Sequence, residues 1–439
     1  MLNGSTINDI TSPFTLGDGD VFTGILEDGS PFVFSTINSD RLDGVNLFET
    51  STPTFSTTPQ LINAASTLRS ARVGQTLTVQ SGGELGDNFT SINATLNVEA
   101  GSVGDVFEVV GSEINISGGA VGSDFSAYTG STVNISGGTV GSDFEALDGS
   151  TVNISGGTVG FRFDAGAEDV PSTNIEVNIS GGEVGSNFDA FGGSTVNISG
   201  GEVGSFFNAN SGSTVNISGG TVGTNFDAGI GSTVNISGGT FGNDFTANND
   251  STVDISGGTF GNSFDAEIGS TVDISGGTFG DFFFVDSTVN ITGGTFGNNF
   301  NALVGSTVNI SGGTFGNDFN TFISSTVNIS GGTFGNAFDA RSGSAVSISG
   351  GEFLLNGSTI NDITSPFTLG DGEVLTGTLE DGSSFIFSTV NSDSLNGVNL
   401  IETSTATLDT TPQIINTAST LRSLGTGADA HRPTRWRTR

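Results

Sequence analysis

The stretch STVNISGGTFGNDF, Ser232–Phe245, recurs letter for letter at Ser306–Phe319, and near-copies fill the chain around both. In Thr233-Val234-Asn235-Ile236-Ser237 apolar and polar residues alternate. A period of two with β-branched residues predicts a strand, with Val and Ile on one face and Thr, Asn and Ser on the other. Gly238-Gly239 predicts a turn at the next corner. Thr240-Phe241 reads as a second short strand, and Asn243-Asp244-Phe245-Thr246-Ala247 as a third. Val234, Ile236, Phe241, Phe245 and Ala247 are the expected inward set. No helical period competes, and Gly with β-branched residues disfavours a helix.

The Ile of this phrase is a ruler for the chain. It returns every 19 residues from Ile116 to Ile348, except for a step of 25 after Ile154 and a step of 17 after Ile274. Two degenerate units, centred on Val79 and Val98, precede it. About fifteen units therefore lie between residues 71 and 353. One unit cannot bury its apolar face alone, but stacked units can. Three short strands and three bends in 19 residues make one coil of a parallel β-helix, or β-solenoid. Stacking then aligns like residues in columns. One column runs from Phe125 and Phe144 to Phe319 and Phe338. A second is Val140, Val159, Val184, Val203 and Val222, changing to Phe at Phe241 and staying Phe to Phe334. Phe fills a core without needing a hydrogen-bond partner, which accounts for 36 Phe beside one Tyr and one Trp.

Around the array lies a second repeat. Leu2–Ser70 aligns with Leu355–Ser423 without a gap, and 55 of the 69 positions are identical. The order is flank (1–70), array (71–353), flank (354–423) and tail (424–439). Each flank reads as β, with strand-like runs around the turns Asp28-Gly29 and Asp381-Gly382. Two roles stay open for these segments: caps that hide the ends of the array, or variant coils between arrays. The tail LGTGADAHRPTRWRTR has a composition of its own, with the sole His431, the sole Trp436 and four of the ten Arg. Shifted by one nucleotide, permissible codons for Gly427–Arg439 spell Gly74–Gly86 with one mismatch. We therefore expect a disordered, frameshifted tail on a fragment of a longer protein, and assign no function to His431 or Trp436.

Charge narrows the classes of function. The 439 residues carry a formal net charge of -36, ten Arg and no Lys. Nucleic-acid affinity comes mostly from cations on phosphates, so this balance argues against it. It argues equally against an anionic membrane surface. No apolar run spans a bilayer, and MLNGSTINDI has neither the basic nor the apolar region of a secretion signal. With no Cys there is no disulfide framework.

On the repeated STVNISGGTFG unit, which covers about two thirds of the chain, the sequence resembles the parallel β-helix repeat proteins secreted by bacteria: adhesins, autotransporter passengers and large cell-surface repeat proteins. The resemblance is one of architecture. It implies an extracellular or surface-bound, non-enzymatic role. The calcium-binding nonapeptide repeat has another pattern, G-G-x-G-x-D, which is absent. Polysaccharide lyases of this fold are relatives by shape only, and no catalytic residue carries over.

Candidate sites follow from the outward columns. Thr214, Asn216, Thr233, Asn235, Thr307, Asn309, Thr326 and Asn328 represent two neighbouring polar rows that could contact a surface, a polysaccharide, a protein ligand or ice. The bland reading is that Thr suits an exposed strand and that stacked Asn amides form a ladder. The glycosylation sequon N-I-S then arises automatically from the repeat. Acidic residues flank the third strand: Asp143, Asp244 and Asp318 before its Phe, Asp189, Asp227, Asp265 and Asp339 after it. Calcium is the cofactor they would accept; solvated charge is the alternative. Gly17-Asp18-Gly19-Asp20 and Gly370-Asp371-Gly372-Glu373 read as turns. The six-residue insertion near Ala167–Asn174, with Glu168 and Asp169, follows Arg162 and is where a carbohydrate-active enzyme would place clustered acids. Otherwise catalysis has little support, with no Cys, no Lys and the only His in the tail. Three functions are carried forward: a structural or adhesive repeat protein, an ice-binding solenoid, and a carbohydrate-active β-helix enzyme.

Overall fold

Each unit closes one coil, and coil stacks on coil in register. In this computed structural model Asn134 pairs with Asn153 and Ile135 with Ile154, so each residue meets its own equivalent one repeat away. The chain is all-β, a parallel β-solenoid of about fifteen turns. The structure describes residues 1–403 except 4–6, 8–11, 18–19, 27–30, 36–39, 46, 48–56 and 169–171. Beyond 403 it describes only the backbone of Gln413–Ile414 and Ala430–His431. The Asp28-Gly29 turn, Asp18-Gly19, Asp169 and most of the 424–439 tail thus lie outside the described residues. No helix among the described residues is long and apolar enough to cross a membrane. Two compact units divide the chain, Met1–Val272 and Asp273–Arg439.

In the first unit the expected inward set is buried: Val234, Ile236, Phe241, Phe245 and Ala247 are 0–3% exposed. The corners differ from expectation. In the coil Thr132–Val140 a single nine-residue strand runs through Gly137-Gly138. The Gly pair is a bulge inside one sheet rather than a corner, and the register shifts there. Gly138 has φ +74° and Gly239 φ +93°, which kinks the strand while its ladder continues through the Thr240 N–H to the Gly220 carbonyl at 2.9 Å. The corner proper is the residue before the third strand. Asp143, Asn225 and Asp244 sit there at φ 58°, 61° and 62°. Asn243 and Asp244 therefore precede the third strand, which is Phe245–Ala247. Asn and Asp tolerate this left-handed conformation better than other side chains.

A third corner closes the coil before the next Thr. The side chains of Ser194, Ser213 and Ser251 turn inward and are 1–2% exposed. Each hydroxyl donates to the carbonyl three residues back, at 2.6 Å. Inside, the Phe rings stack face to face: Phe125 on Phe144 at 4.5 Å and Phe226 on Phe245 at 4.8 Å. Where the second column changes to Phe, Phe241 meets Phe245 edge-on at 5.8 Å and 80°. The stack is interrupted between Phe163 and Phe188, which lie at 74° across the coil carrying the insertion.

The first flank has two parts. Val21–Ile25 and Pro31–Ser35 form an antiparallel hairpin. Val21, with Val33 packed beside it, lies against Val110, Tyr128 and Leu147 on the outside of the coils. Further on, Gln60–Ile62 runs parallel to Thr76–Val79, and Ser70–Ala71 to the strand Thr90–Ile92.

In the second unit, coils at Thr288–Ile291, Thr307–Phe315, Thr326–Thr333 and Ala345–Leu355 stack in the same way. The second flank meets the last of them in two fashions. Ser394–Leu395 and Asn399–Glu402 add parallel strands to it. The hairpin Val374–Leu379 with Ser384–Ser388 folds over it antiparallel. Phe387 covers the end of the Phe columns, 4.8 Å from Phe338 and 6.2 Å from Phe334. Two carboxylates take up open backbone donors of the array: Asp393 accepts from the Phe338 N–H and Asp381 from the Gly332 N–H, both at 2.9 Å.

Candidate functional site

The outward face of the first strand carries the Thr and Asn rows. Thr214, Asn216, Thr233 and Asn235 lie there in the first unit, paired Thr214 to Thr233 and Asn216 to Asn235. Thr307, Asn309, Thr326 and Asn328 do the same in the second. Of these eight, Asn328 is exposed and the rest are half-buried. The cause is stacking: equivalents about 4.8 Å away on either side cover each side chain.

Row by row the chemistry is regular. Each Asn amide nitrogen donates to the amide oxygen of the coil before it. In the first unit the ladder runs unbroken from Asn97 to Asn235, with bonds of 2.8–3.0 Å. In the second, Asn290 donates to Asp273 at 2.6 Å, and Asn309 and Asn328 continue at 2.8 Å. The ladder uses one N–H of each interior amide; at Asn115 and Asn178 the amide also donates to Glu113 and Glu176, at 3.3 and 3.2 Å, and elsewhere the second N–H points to the open face. The Thr row is interrupted by Glu176 and ends against Ala345. In the second unit a shallow groove of about 320 Å³ runs along the face, lined by Asn290, Asn309 and Asn328 on one side and Thr292, Ser311 and Ser330 on the other. Thr307 and Thr326 do not line it.

On the third strand the acidic column is denser than the sequence alone suggests. Ser126, Glu145, Asp164, Asp189, Asn208 and Asp227 pair in sequence, so three carboxylates stand on consecutive coils. Arg162 reaches Asp143 at 3.1 Å and Asp164 at 3.6 Å. Burial pushes the Asp164 carboxyl up to about 7, against the pull of Arg162 and with the push of Asp189, Glu145 and Asp143. Burial also raises Glu145, with Ser126 and Arg162 opposing it. Glu108, under the first flank, rises to about 7 through burial and the nearby Asp40, with the Tyr128 hydroxyl opposing. One oxygen of Asp164 is buried with no hydrogen-bond partner. The insertion lies on the following turn, where the Thr173 N–H and hydroxyl donate to Asp148 at 2.6 and 2.9 Å.

The other acids have structural work. Asp143, Asp244 and Asp318 occupy the left-handed corner. Asp339 pairs with Arg341 at 2.8 Å, and Asp227 accepts from the Asn248 amide. Gly17 and Gly370 each donate to the acid three residues on, Asp20 and Glu373, closing a turn in both copies of the flank. Among the described residues no group of three or more His, Asp or Glu converges as a metal-ligand set. The sequence alone does not single out the inward Ser or the left-handed corner: Ser is an ordinary surface residue, and the corner holds Asp, Asn, Arg, Phe, Ser or Ala. No family model matches the chain, and no curated protein or solved structure matches it either.

Proposed function

We propose that the chain is a non-enzymatic structural or adhesive repeat protein of the cell surface or extracellular space, part of a longer surface protein. The observation that supports this reading is the register of the outward rows. Asn97 to Asn235 present one amide per coil in an unbroken line, beside a row of Thr hydroxyls broken at Glu113 and Glu176. A face that repeats one weak contact many times gains from avidity rather than from any single strong site. Its ligand would be an extended polar surface, a polysaccharide or a protein. Binding to immobilised polysaccharides and to whole cells tests the reading. Replacing Asn197, Asn216 and Asn235 by Ala should lower retention by at least tenfold, whereas one replacement should lower it about twofold. Equal losses from one and three replacements would count against multivalent contact, and antibody labelling of intact source cells tests the location.

An ice-binding role is supported by the same parallel Thr and Asn rows and predicts thermal hysteresis, abolished by Thr233→Lys. A carbohydrate-active enzyme draws its support from Glu145, Asp164 and Asp189 beside Arg162. It predicts release of reducing ends from an acidic or neutral glycan, lost in Asp164→Asn. Calcium as a cofactor predicts a melting temperature that falls when the ion is chelated.

A further inference from the structure

The two flanks are nearly the same sequence, yet their hairpins bury opposite faces. In the second flank the buried face is aromatic and aliphatic. Leu375, Leu379, Phe385 and Phe387 are 0–5% exposed, seated on the last coil, while Ile386 on the other face is 62% exposed. In the first flank the equivalent of Ile386 is Val33, and that face is the one packed on Val110, Tyr128 and Leu147. Its aromatic face is left half open. Phe22 is 6% exposed, covered by its neighbouring rings, but Phe32 and Phe34 are half-buried, as Val33 is, and Leu26, the equivalent of Leu379, is 55% exposed. The rings are already assembled there: Phe14 on Phe22 at 4.6 Å, Phe22 on Phe32 at 5.2 Å, Phe32 on Phe34 at 5.3 Å. The last of these matches the 5.3 Å between Phe385 and Phe387.

The seating of the first hairpin is also imperfect in its polar groups. The Thr23 hydroxyl is buried there with no hydrogen-bond partner, whereas Thr376, its equivalent, is only half-buried. Its edge strand matches as well. The Asn3 N–H donates to the Val21 carbonyl at 2.8 Å, as the Asn356 N–H does to Val374 at 2.9 Å.

We propose that the aromatic face of the first flank, formed by Phe14, Phe22, Phe32 and Phe34 with Leu26 at its rim, is a docking surface for the open C-terminal end of a solenoid array built of this 19-residue unit. The second flank gives the geometry of the occupied state: Phe34 takes the place of Phe387 over the Phe columns, and Leu26 that of Leu379. The hairpin then leaves the side of the coils and uncovers Tyr128, the only tyrosine of the chain and fully buried beneath it.

The test keeps the whole chain and prefixes it with a second copy of residues 282–353, so that the copied Phe353 precedes Met1 as Phe353 precedes Leu354. The expected result is at least a tenfold gain in the rate of Tyr128 nitration by tetranitromethane, with slowed amide exchange across residues 32–34. Adding Phe32→Ser and Phe34→Ser to the prefixed chain should return nitration to its unprefixed rate. An unreactive Tyr128 in a prefixed chain with the added β signal of the new coils overturns the proposal. Should the prefix not fold, a chimera decides. Replacing Glu373–Ser388 by Asp20–Ser35 puts the first hairpin on the existing array end. A melting temperature of the second unit within a few degrees of the parent supports the proposal, and a fall of 10 °C or more overturns it.

Discussion

At the level of single residues, the repeat gives most of its difficult backbone positions a side chain that tolerates them. The left-handed corner before the third strand holds Asp or Asn in most coils, but Phe206 occupies it at φ 62° and is 52% exposed. A bulky residue there costs roughly 1–2 kcal/mol. Phe206→Asn should therefore raise stability by about 1 kcal/mol in urea unfolding, and a loss would mean that Phe206 is held by contacts outside its coil. The opposite expectation applies inside. Phe226 lies between Phe207 and Phe245, at 4.9 and 4.8 Å, with Phe241 edge-on to it. Phe226→Ala should cost about 3–5 kcal/mol, the usual range for a buried aromatic. Much of this scale was legible beforehand. The alternation in Thr233–Ser237 gives the inward face directly, because strand geometry leaves no other assignment. The inward Ser was not legible: Ser213 looks exposed by residue type, and only the closing turn, with its hydroxyl on the Asn210 carbonyl, makes it a core residue.

At the level of the strand, outward columns behave as units. The third strands hold carboxyls whose burial lifts them, Glu108 and Asp164 both to about 7. Both are raised above their unfolded values near 4, so the protonated form is the one the fold favours. Their stabilisation is complete below about pH 4 and is lost as pH rises to about 7. The first unit should therefore lose stability between pH 4 and pH 7, by at most about 3 kcal/mol for Glu108 and by less for the more exposed, screened Asp164. Glu108→Gln and Asp164→Asn together should flatten that slope; an unchanged slope would place the titration elsewhere. In the sequence Asn, Ser and Thr alternate with these acids at the same place in the repeat, as at Ser126, Asn208 and Thr246. Register, which only the coil geometry fixes, is what puts Glu145, Asp164 and Asp189 side by side. The Gly-Gly bulge was misread as a corner for a related reason. Two glycines mark a departure from regular strand, but whether the chain turns or merely kinks depends on the neighbouring coil continuing the ladder.

For the molecule as a whole, stability is a sum of coils and of the contacts between neighbours. Removing one complete period, Thr214–Ser232, keeps every column in phase. It should leave the circular dichroism per residue unchanged and shift the melting temperature by only a few degrees. Removing ten residues from the same place puts Phe opposite Asn and should unfold the coils around it. The flanks mark the limit of sequence reading. Two segments identical at 55 of 69 positions predict one structure, yet their hairpins bury opposite faces, because what each hairpin covers lies outside the hairpin itself. The Asn ladder adds a last consequence. Its hydrogen bonds all run in one sense, from each coil to the one before, so the line has a head and a tail like a one-way zip. At its head an acceptor suffices, and Asp273 serves there for Asn290. In the middle, each member must both give and take. Where Asp254 follows Asn235 in the column the line of donors stops, and an Asp placed inside the unbroken run would stop it there too. The same substitution, Asn to Asp, should be mild at Asn97, whose amide gives up only a 3.4 Å bond to the Thr78 hydroxyl, and cost about 1 kcal/mol at Asn216, so the array has a direction, as do the two flanks, which repeat in the same sense.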